Sequence, residues 1–144
     1  MKRVFNTNYN HQSLDFALFL LRIGVACFML THGLAKLSVV LSGAEIQFGD
    51  PIGLGVKLSF YLAVFAEVLC SVLLIIGLAT RLALIPLIIT MAVAVFVVHP
   101  PDGFQKMELP GLYLMVFVFL MFAGPGRFSI DSLISRRSNR RLTF

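Results

Sequence analysis

Four long apolar segments constrain the fold of this chain more than any other feature of its sequence. They run over residues 15–37, 58–78, 82–98 and 109–123. A helix of about 20 residues spans the hydrocarbon core of a bilayer, and it satisfies its own backbone hydrogen bonds there. We therefore predict an all-α membrane protein, a bundle of four transmembrane helices over 15–123, with an N-terminal segment over 1–14 and a basic tail over 124–144.

The composition supports a lipid environment and excludes several classes of soluble protein. The chain is 58% hydrophobic and 13% charged, and its mean hydropathy is +0.91, whereas soluble domains are about 25% charged. Two cysteines without a CxxC pattern argue against a disulfide scaffold or a zinc site, so no metal site is expected. The net charge of +5 is concentrated in the tail, in Arg136, Arg137, Arg140 and Arg141. Next to a spanning segment, such a tail favours an anionic membrane surface as its partner and not nucleic acid.

The connections between the segments differ in length. Residues 77–81 are short enough to make the second and third segments an antiparallel hairpin, and Thr80 is a candidate cap for the third helix. Residues 99–103 and 124–126, rich in proline and glycine, are expected to end the third and fourth helices. The link over 38–57 is long and apolar, so we expect it to lie in the interface or fold back on the bundle, either as a floppy loop or as a functional one.

The placement of lysine and arginine predicts the orientation. The side with both termini and the 77–81 turn carries eight of these residues, against three on the other side: Lys2, Arg3, Arg81, Arg127, Arg136, Arg137, Arg140 and Arg141, against Lys36, Lys57 and Lys106. This bias favours both termini in the cytoplasm. Residues 16–30 also resemble a signal peptide, but a charged residue inside that run favours a retained helix. Because tryptophan is absent, the interface belts are expected to use Tyr9, Tyr61 and Tyr113.

Ionisable residues at membrane depth are the most informative polar positions. At about 100° per residue, Arg22, His32 and Lys36 share one face of the first helix, together with Gly33, which allows close helix approach. Glu67 lies near the centre of the second segment. Depths counted from the outer ends of the two segments place this glutamate between Arg22 and His32, so we predict a Glu67–Arg22 or Glu67–His32 contact.

Each of these residues also has a structural interpretation. Arg22 can reach towards the cytoplasmic interface, and Lys36 can mark the outer one. Glu67 has no such route out of the membrane and must be paired or protonated. The sequence therefore leaves open whether the cluster is a pin between two helices or a site for protons or redox chemistry.

Two other pairs of residues are less informative. Cys27 and Cys70 have similar depths but lie on helix faces that should not meet, so no disulfide is expected. His32 and His99 both lie near the outer side, but two histidines at helix ends are weak evidence for a haem.

Several separated motifs stand out along the chain, and they read LRIG at 21–24, HGLAK at 32–36, FAE at 65–67, GLATR at 77–81 and GPGRFSID at 124–131. Together they resemble the bacterial DoxX family of small four-helix membrane proteins. The resemblance covers about residues 17–131 and rests on the order and spacing of these pieces. The family often has glycines shortly after the glutamate, where this chain has Val-Leu-Cys-Ser at 68–71. Close helix packing at that point is therefore not assured.

The resemblance implies a multi-pass protein of the bacterial plasma (inner) membrane that is linked to redox metabolism. Members of the family are described as subunits of quinol or thiosulfate:quinone oxidoreductases, or as membrane partners of oxidative-stress enzymes. By the family motif, the binding positions would be Arg22, His32, Lys36, Glu67 and Arg81, with Glu67 and His32 as the catalytic candidates. The implied cofactor is a quinone, and the implied partners are the bilayer, membrane or cytoplasmic redox enzymes and further copies of the chain.

Two functions remain after this comparison. In the first, the chain is an accessory subunit of a quinone-linked redox system, and the polar cluster binds a quinone head group or relays protons. In the second, it is a non-enzymatic scaffold or small-molecule carrier, and the cluster is a structural pin or a substrate site. The chain has no nucleotide-binding motif and no set of metal ligands, so we do not expect it to transfer electrons alone.

Overall fold

The computed structural model describes residues 10–141, with side chains as far as Arg137, and this part of the chain is helical throughout its regular structure. Within residues 10–141, four helices are long and apolar enough to span a membrane, as predicted: α1 (His11–Ser42), α2 (Val56–Ile76), α3 (Thr80–Val98) and α4 (Phe104–Ala123). A short 3-10 turn, Pro100–Asp102, precedes α4, and α5 (Ile130–Arg141) follows it. Lys2, Arg3 and Tyr9, and the side chains of Arg140 and Arg141, lie outside the described residues.

The helices extend beyond the apolar segments that predicted them. α1 begins at His11 and ends at Ser42 instead of running over 15–37, and α4 begins at Phe104 instead of residue 109. At the start of α1, the Asn10 side chain accepts hydrogen bonds from the backbone of Gln12 and Ser13, which satisfies N–H groups that the start of a helix leaves free. At its other end, Gly43 takes the left-handed conformation with φ of 67°. These caps are polar, so hydropathy alone could not have located them.

The hairpin between α2 and α3 is confirmed, but Thr80 does not cap α3. Thr80 is the first residue of α3, and the preceding Ala79 has φ of 48°. The carboxylate of Asp131, from α5, accepts hydrogen bonds from the N–H groups of Ala79 at 2.7 Å and Thr80 at 2.8 Å. The prediction was wrong because the capping group comes from a residue that is distant in sequence.

Polar contacts define two ends of the bundle. At the basic end, the start of α1, the 77–81 turn and the segment after α4 meet: the backbone N–H of Arg127 donates to Asp15, and that of Asp131 donates to the carbonyl of Gly77. The opposite end of the bundle contains the end of α1, the 43–55 loop and the turn after α3. It is called the cavity end, because a cavity lies between the helices there. The ring of Phe48, in that loop, packs on Phe60 with centroids 5.3 Å apart, so the loop folds back on the bundle as expected.

The interior and the outer surface are both apolar, as a protein in lipid requires. The core between the four helices is closed by residues with almost no exposure, including Ala26, Leu74, Leu84, Leu87, Phe117 and Leu120. Large apolar side chains also cover the outside, including Phe28, Leu82, Phe96, Met115 and Phe122. A soluble protein rarely exposes apolar surface on this scale, whereas lipid tails cover such a surface in a membrane.

Candidate functional site

An ion pair joins α1 to α2 near the cavity end. The Nζ atom of Lys36 donates to Oε1 of Glu67, whose side chain is 3% exposed, while that of Lys36 is 29% exposed. The predicted contact of Glu67 with Arg22 or His32 is therefore wrong. The error comes from the length of α1, which continues about 7 Å further out than the predicted end at residue 37. That extension shifts the register between the helices, so that Glu67 lies beside Gly33 and Lys36.

Two local features of the backbone place Glu67 at this position. The residue lies in a π-helical turn, Phe65–Cys70, within α2, and such turns are frequent at functional sites because they re-aim side chains. Gly33 packs directly on this turn, because a Cβ atom at Gly33 would lie 2.8 Å from the backbone carbon and oxygen of Glu67. The glycine predicted from the shared helix face thus allows the close approach of α1, but it meets the glutamate itself.

The Lys36–Glu67 pair lies in the wall of a cavity of about 480 Å³. All four spanning helices and the 43–55 loop contribute to the wall, with mostly apolar side chains such as Met29, Phe48, Ile52, Leu62, Ile89, Met91, Val98 and Leu109. The polar groups among them are few and come from different elements: His32, Lys36, Ser59, Glu67, Thr90, His99, Lys106 and Tyr113. Apolar walls with a few convergent polar groups are typical of a small-molecule site of this size.

The second carboxylate oxygen of Glu67 is the least satisfied atom in this wall. Oε2 is buried and has no hydrogen-bond partner among the described residues, whereas Oε1 is held by Lys36. A buried carboxylate oxygen without a partner is costly, so such an atom either carries a proton or binds a ligand. Because Glu67 also lines the cavity, this oxygen can exchange a proton or a hydrogen bond with a molecule bound there.

His32 and Tyr113 also line this cavity. The two rings meet edge to face with centroids 6.1 Å apart, and His32 forms no hydrogen bond with Glu67. Tyr113 is buried, so its predicted place in an interface belt is wrong, whereas Tyr61 is half exposed. Sequence reasoning missed Tyr113 as a site residue because the predicted segment over 109–123 places it near an end, whereas α4 begins at Phe104 and places it near the middle.

Two carboxylates outside the spanning helices form hydrogen bonds with residues of the cavity wall. Asp50, in the loop, accepts hydrogen bonds from the backbone of Gly55 and Leu54 and from the hydroxyl of Ser59, and these bonds, that of Gly55 above all, lower the pKa of its carboxyl. In the turn after α3, the hydrogen bond of His99 and the nearby Lys106 lower the pKa of Asp102. Both carboxylates therefore fix turns beside the cavity and stay ionised.

Arg22 does not belong to this cluster. It is 1% exposed, and its Nη1 and Nη2 atoms donate to the carbonyls of Pro125 at 2.7 Å and Phe128 at 2.6 Å, at the basic end. A Cβ atom at Gly77 would lie 2.5 Å from Nη1, so only glycine fits beside the guanidinium. The side chain does point towards the basic end, as one interpretation expected, but it is covered by protein there.

Arg81 also lies away from the cluster. It lines a separate recess at the basic end with Arg136, Asp131 and neighbouring residues of α3 and α5. Of the five positions implied by the family resemblance, the structure thus brings together three, His32, Lys36 and Glu67, and places two, Arg22 and Arg81, at the opposite end.

Cys27 and Cys70 are both free, as predicted; Cys27 is exposed on the outside of α1, and Cys70 is buried. His32 and His99 line the same cavity, but Nδ1 of His99 lies 3.1 Å from Oδ2 of Asp102. Among residues 10–137, no group of three or more His, Cys, Asp or Glu side chains is arranged to hold a metal ion.

Comparison with known proteins places the chain in a family. The DoxX family model matches residues 17–100. An uncharacterized membrane protein of Mycobacterium tuberculosis is 29% identical over 139 residues, covering 79% of this chain and 83% of that protein. Two uncharacterized proteins of Haemophilus influenzae are 33% and 30% identical, covering 78% and 83% of this chain and 86% and 84% of their own lengths. No solved structure matches the chain. The family match over more than half of the sequence, together with the four spanning helices, shows that this chain is an integral membrane protein of the DoxX family.

Proposed function

We propose that this protein is an accessory membrane subunit of a quinone-linked redox or oxidative-stress system, and that its cavity binds the quinone head group. The observation that carries this proposal is the free Oε2 atom of Glu67, which is buried beside Lys36 in an apolar cavity of about 480 Å³. A site built only to pin two helices together needs no cavity and leaves no carboxylate oxygen unused.

The residues of the wall fit the chemistry of a quinone. Its carbonyl oxygens accept hydrogen bonds, and the Lys36 ammonium and the Tyr113 hydroxyl are donors in this wall. Its flat ring suits the aromatic faces of Phe48 and Tyr113 and the surrounding aliphatic side chains. The cavity lies among spanning helices, within reach of a ligand that is dissolved in lipid.

When bound, a quinone accepts electrons and protons, and the residues of the chain would hold and deliver the protons. Glu67 can carry a proton on Oε2, and Lys36 stabilises its ionised form through Oε1. The electrons would come from a partner enzyme in the membrane or the cytoplasm, which is why the proposed role is that of an accessory subunit.

The proposed location is the bacterial inner membrane, with the basic end on the cytoplasmic side. Arg81, Arg127, Arg136 and Arg137 lie at that end, and the positive-inside rule supports the orientation. A C-terminal fusion to a reporter that works only in the cytoplasm should be active. Activity of a periplasmic reporter at the same position would show the opposite orientation and would leave the proposal for the cavity unaffected.

Quinone binding can be tested on the purified protein in lipid nanodiscs. Titration with the reduced, quinol form of a short-chain ubiquinone or menaquinone analogue should show saturable binding near one per chain. Glu67→Gln should weaken it about tenfold or more, as expected when a quinol hydroxyl loses a charged acceptor. Glu45→Gln, an exposed loop residue at the same end, serves as the matched control and should leave binding unchanged.

The alternative function predicts a different result. If the Lys36–Glu67 pair is only a structural pin, the purified protein binds no quinone, and Glu67→Gln lowers the free energy of unfolding without any other change. That outcome would reject the redox proposal and favour a scaffold. A pull-down from membranes would identify the partner enzyme, and the redox proposal predicts that a redox enzyme co-purifies.

A further inference from the structure

We propose that the recess at the basic end is a binding site for the phosphate head group of an anionic phospholipid. The recess has a volume of about 630 Å³ and lies between the start of α3 and the first turns of α5. Its walls are formed by Ala79, Thr80, Arg81, Leu82, Pro125, Gly126, Asp131, Ser132, Ser135 and Arg136. This site is independent of the cavity and of quinone binding, since the two share no residue.

The positive charge of the recess is free to bind an anion. Arg81 comes from α3 and Arg136 from α5, and neither forms an ion pair with a carboxylate in the described part of the chain. Asp131, the acidic residue of the wall, is already engaged by the N–H groups of Ala79 and Thr80. Two guanidinium groups from different helices suit phosphate oxygens well, because each offers several donors in a rigid fork.

The two helices that carry these arginines are held at a fixed separation. The backbone N–H of Asp131 donates to the Gly77 carbonyl at 3.0 Å, and the carbonyl of Phe128 receives a hydrogen bond from Arg22. Ser129 caps α5 through its hydroxyl, which accepts from the N–H of Ser132 at 3.1 Å. Because the frame of the recess is already ordered, an anion binds without the entropy cost of assembling it.

An apolar track next to the recess identifies the anion as a lipid head group and not a free phosphate ion. Leu82, in the wall, is 69% exposed, and Ile85 and Ile89 continue the same outer face of α3 towards the membrane centre. On the other side, α5 exposes Leu133 and Ile134. An acyl chain can therefore lie along α3 while the phosphate lies between Arg81 and Arg136.

The full-length protein in uncharged detergent can test this proposal by titration with phosphatidylglycerol, followed by native mass spectrometry. We expect saturable binding of one lipid and no comparable binding of phosphatidylcholine. Arg81→Gln and Arg136→Gln should each weaken binding about fivefold and the double variant about 30-fold. These values follow from the free energy that each arginine contributes to binding near an anionic membrane. Arg137→Gln, which removes an equally exposed charge one residue further along α5, should have little effect.

Three outcomes would overturn the proposal. Equal losses in Arg136→Gln and Arg137→Gln would show diffuse attraction to a basic surface. Competition by inorganic phosphate as strong as that by dihexanoyl-phosphatidylglycerol, measured on the unaltered protein, would show an ion site without a lipid. If the glutamine variants do not fold, the Arg81→Lys/Arg136→Lys variant keeps the charges but loses the forks, and unchanged affinity there would reject the role of the paired guanidinium groups.

Discussion

Arg22 and Glu67 are both buried charges in the same bundle, but their surroundings differ. Both terminal nitrogens of Arg22 are bonded to backbone carbonyls at the basic end, in tightly packed protein, and its Nε has no partner among the described residues. Glu67 has one oxygen bonded to Lys36 and the other free, next to a cavity of about 480 Å³. The arginine thus fastens α1 to the segment after α4, and the glutamate retains capacity for a ligand.

The difference follows from the chemistry of the two groups. A guanidinium group stays charged at every accessible pH, so in a low-dielectric interior it must find hydrogen-bond acceptors. A carboxyl group can take up a proton when its surroundings leave it without partners. A glutamate with one unbonded oxygen is therefore tolerable in a membrane protein, whereas an arginine that lost both of its carbonyl partners would be strongly destabilising.

The strongest test of this comparison is to remove the guanidinium. Arg22→Met leaves the carbonyls of Pro125 and Phe128 without donors, and we expect the free energy of unfolding to fall by about 3 kcal/mol or more. Titration with SDS in mixed micelles measures this value. Arg127→Met removes an exposed arginine nearby and should cost less than about 1 kcal/mol. If Arg22→Met were as stable as the control, Arg22 would not fasten the bundle.

Gly33→Ala probes the close approach that brings α1 to Glu67. The added methyl group would lie 2.8 Å from the backbone of Glu67 and from Cγ2 of Val68, so the helices must separate at a cost of about 1–3 kcal/mol. Gly24→Ala is a matched control in the same helix, because its methyl group meets no atom within 4 Å. Equal unfolding curves for the two variants would show that the π-helical turn yields easily, and the packing argument would fail.

Lys36→Met removes the cation from the half-satisfied site. We expect a loss of about 1–2 kcal/mol, well below that of Arg22→Met, because Lys36 is partly exposed and water screens its interaction with Glu67. Lys57→Met, at the exposed start of α2, controls for the loss of one positive charge. A loss as large as that of Arg22→Met would mean that the pair is a pin after all.

The smallest expected effect concerns Asp131 at the basic end. Burial opposes its ionisation, but the N–H groups of Thr80 and Ala79 and the charge of Arg22 together lower the pKa of Asp131. A lowered pKa stabilises the fold when the pH is above the pKa of Asp131 in the unfolded chain, which is about 4. This contribution disappears as the pH falls through the pKa of Asp131 in the folded protein. Asp131→Asn should cost about 1 kcal/mol at neutral pH, as loss of a helix cap does.

The same variant shows how much of the pH dependence comes from this residue. In thermal unfolding between pH 3 and 7, the difference between the unaltered protein and Asp131→Asn should shrink towards zero at the acid end. Asp50 and Asp102, at the cavity end, titrate in both proteins and cancel in the difference. A gap that stays constant with pH would mean that the capping bonds do not depend on the charge of Asp131.

Much of the fold was predictable, because hydropathy depends on composition within each segment. The four spans, the α2–α3 hairpin and the proline-rich stop after α3 follow from local residue types and are present. The face of α1 that carries Gly33 and Lys36 was also predicted to meet α2. The partner of Glu67 was not, since counting from an apolar boundary misses the last turn of a helix that ends on a capping glycine, Gly43.

The sequence by itself thus determined a four-helix membrane bundle with ionisable residues in its interior, because lipid forces apolar runs into helices and makes buried charges stand out. The tertiary structure decided which charges meet. It joined Lys36 to Glu67 at a cavity, sent Arg22 to carbonyls more than 100 residues away in sequence, and placed Arg81 beside Arg136. Such pairings depend on helix register, and the five residues by which α1 extends past its predicted end shift the register by about 7 Å, enough to exchange one partner for another.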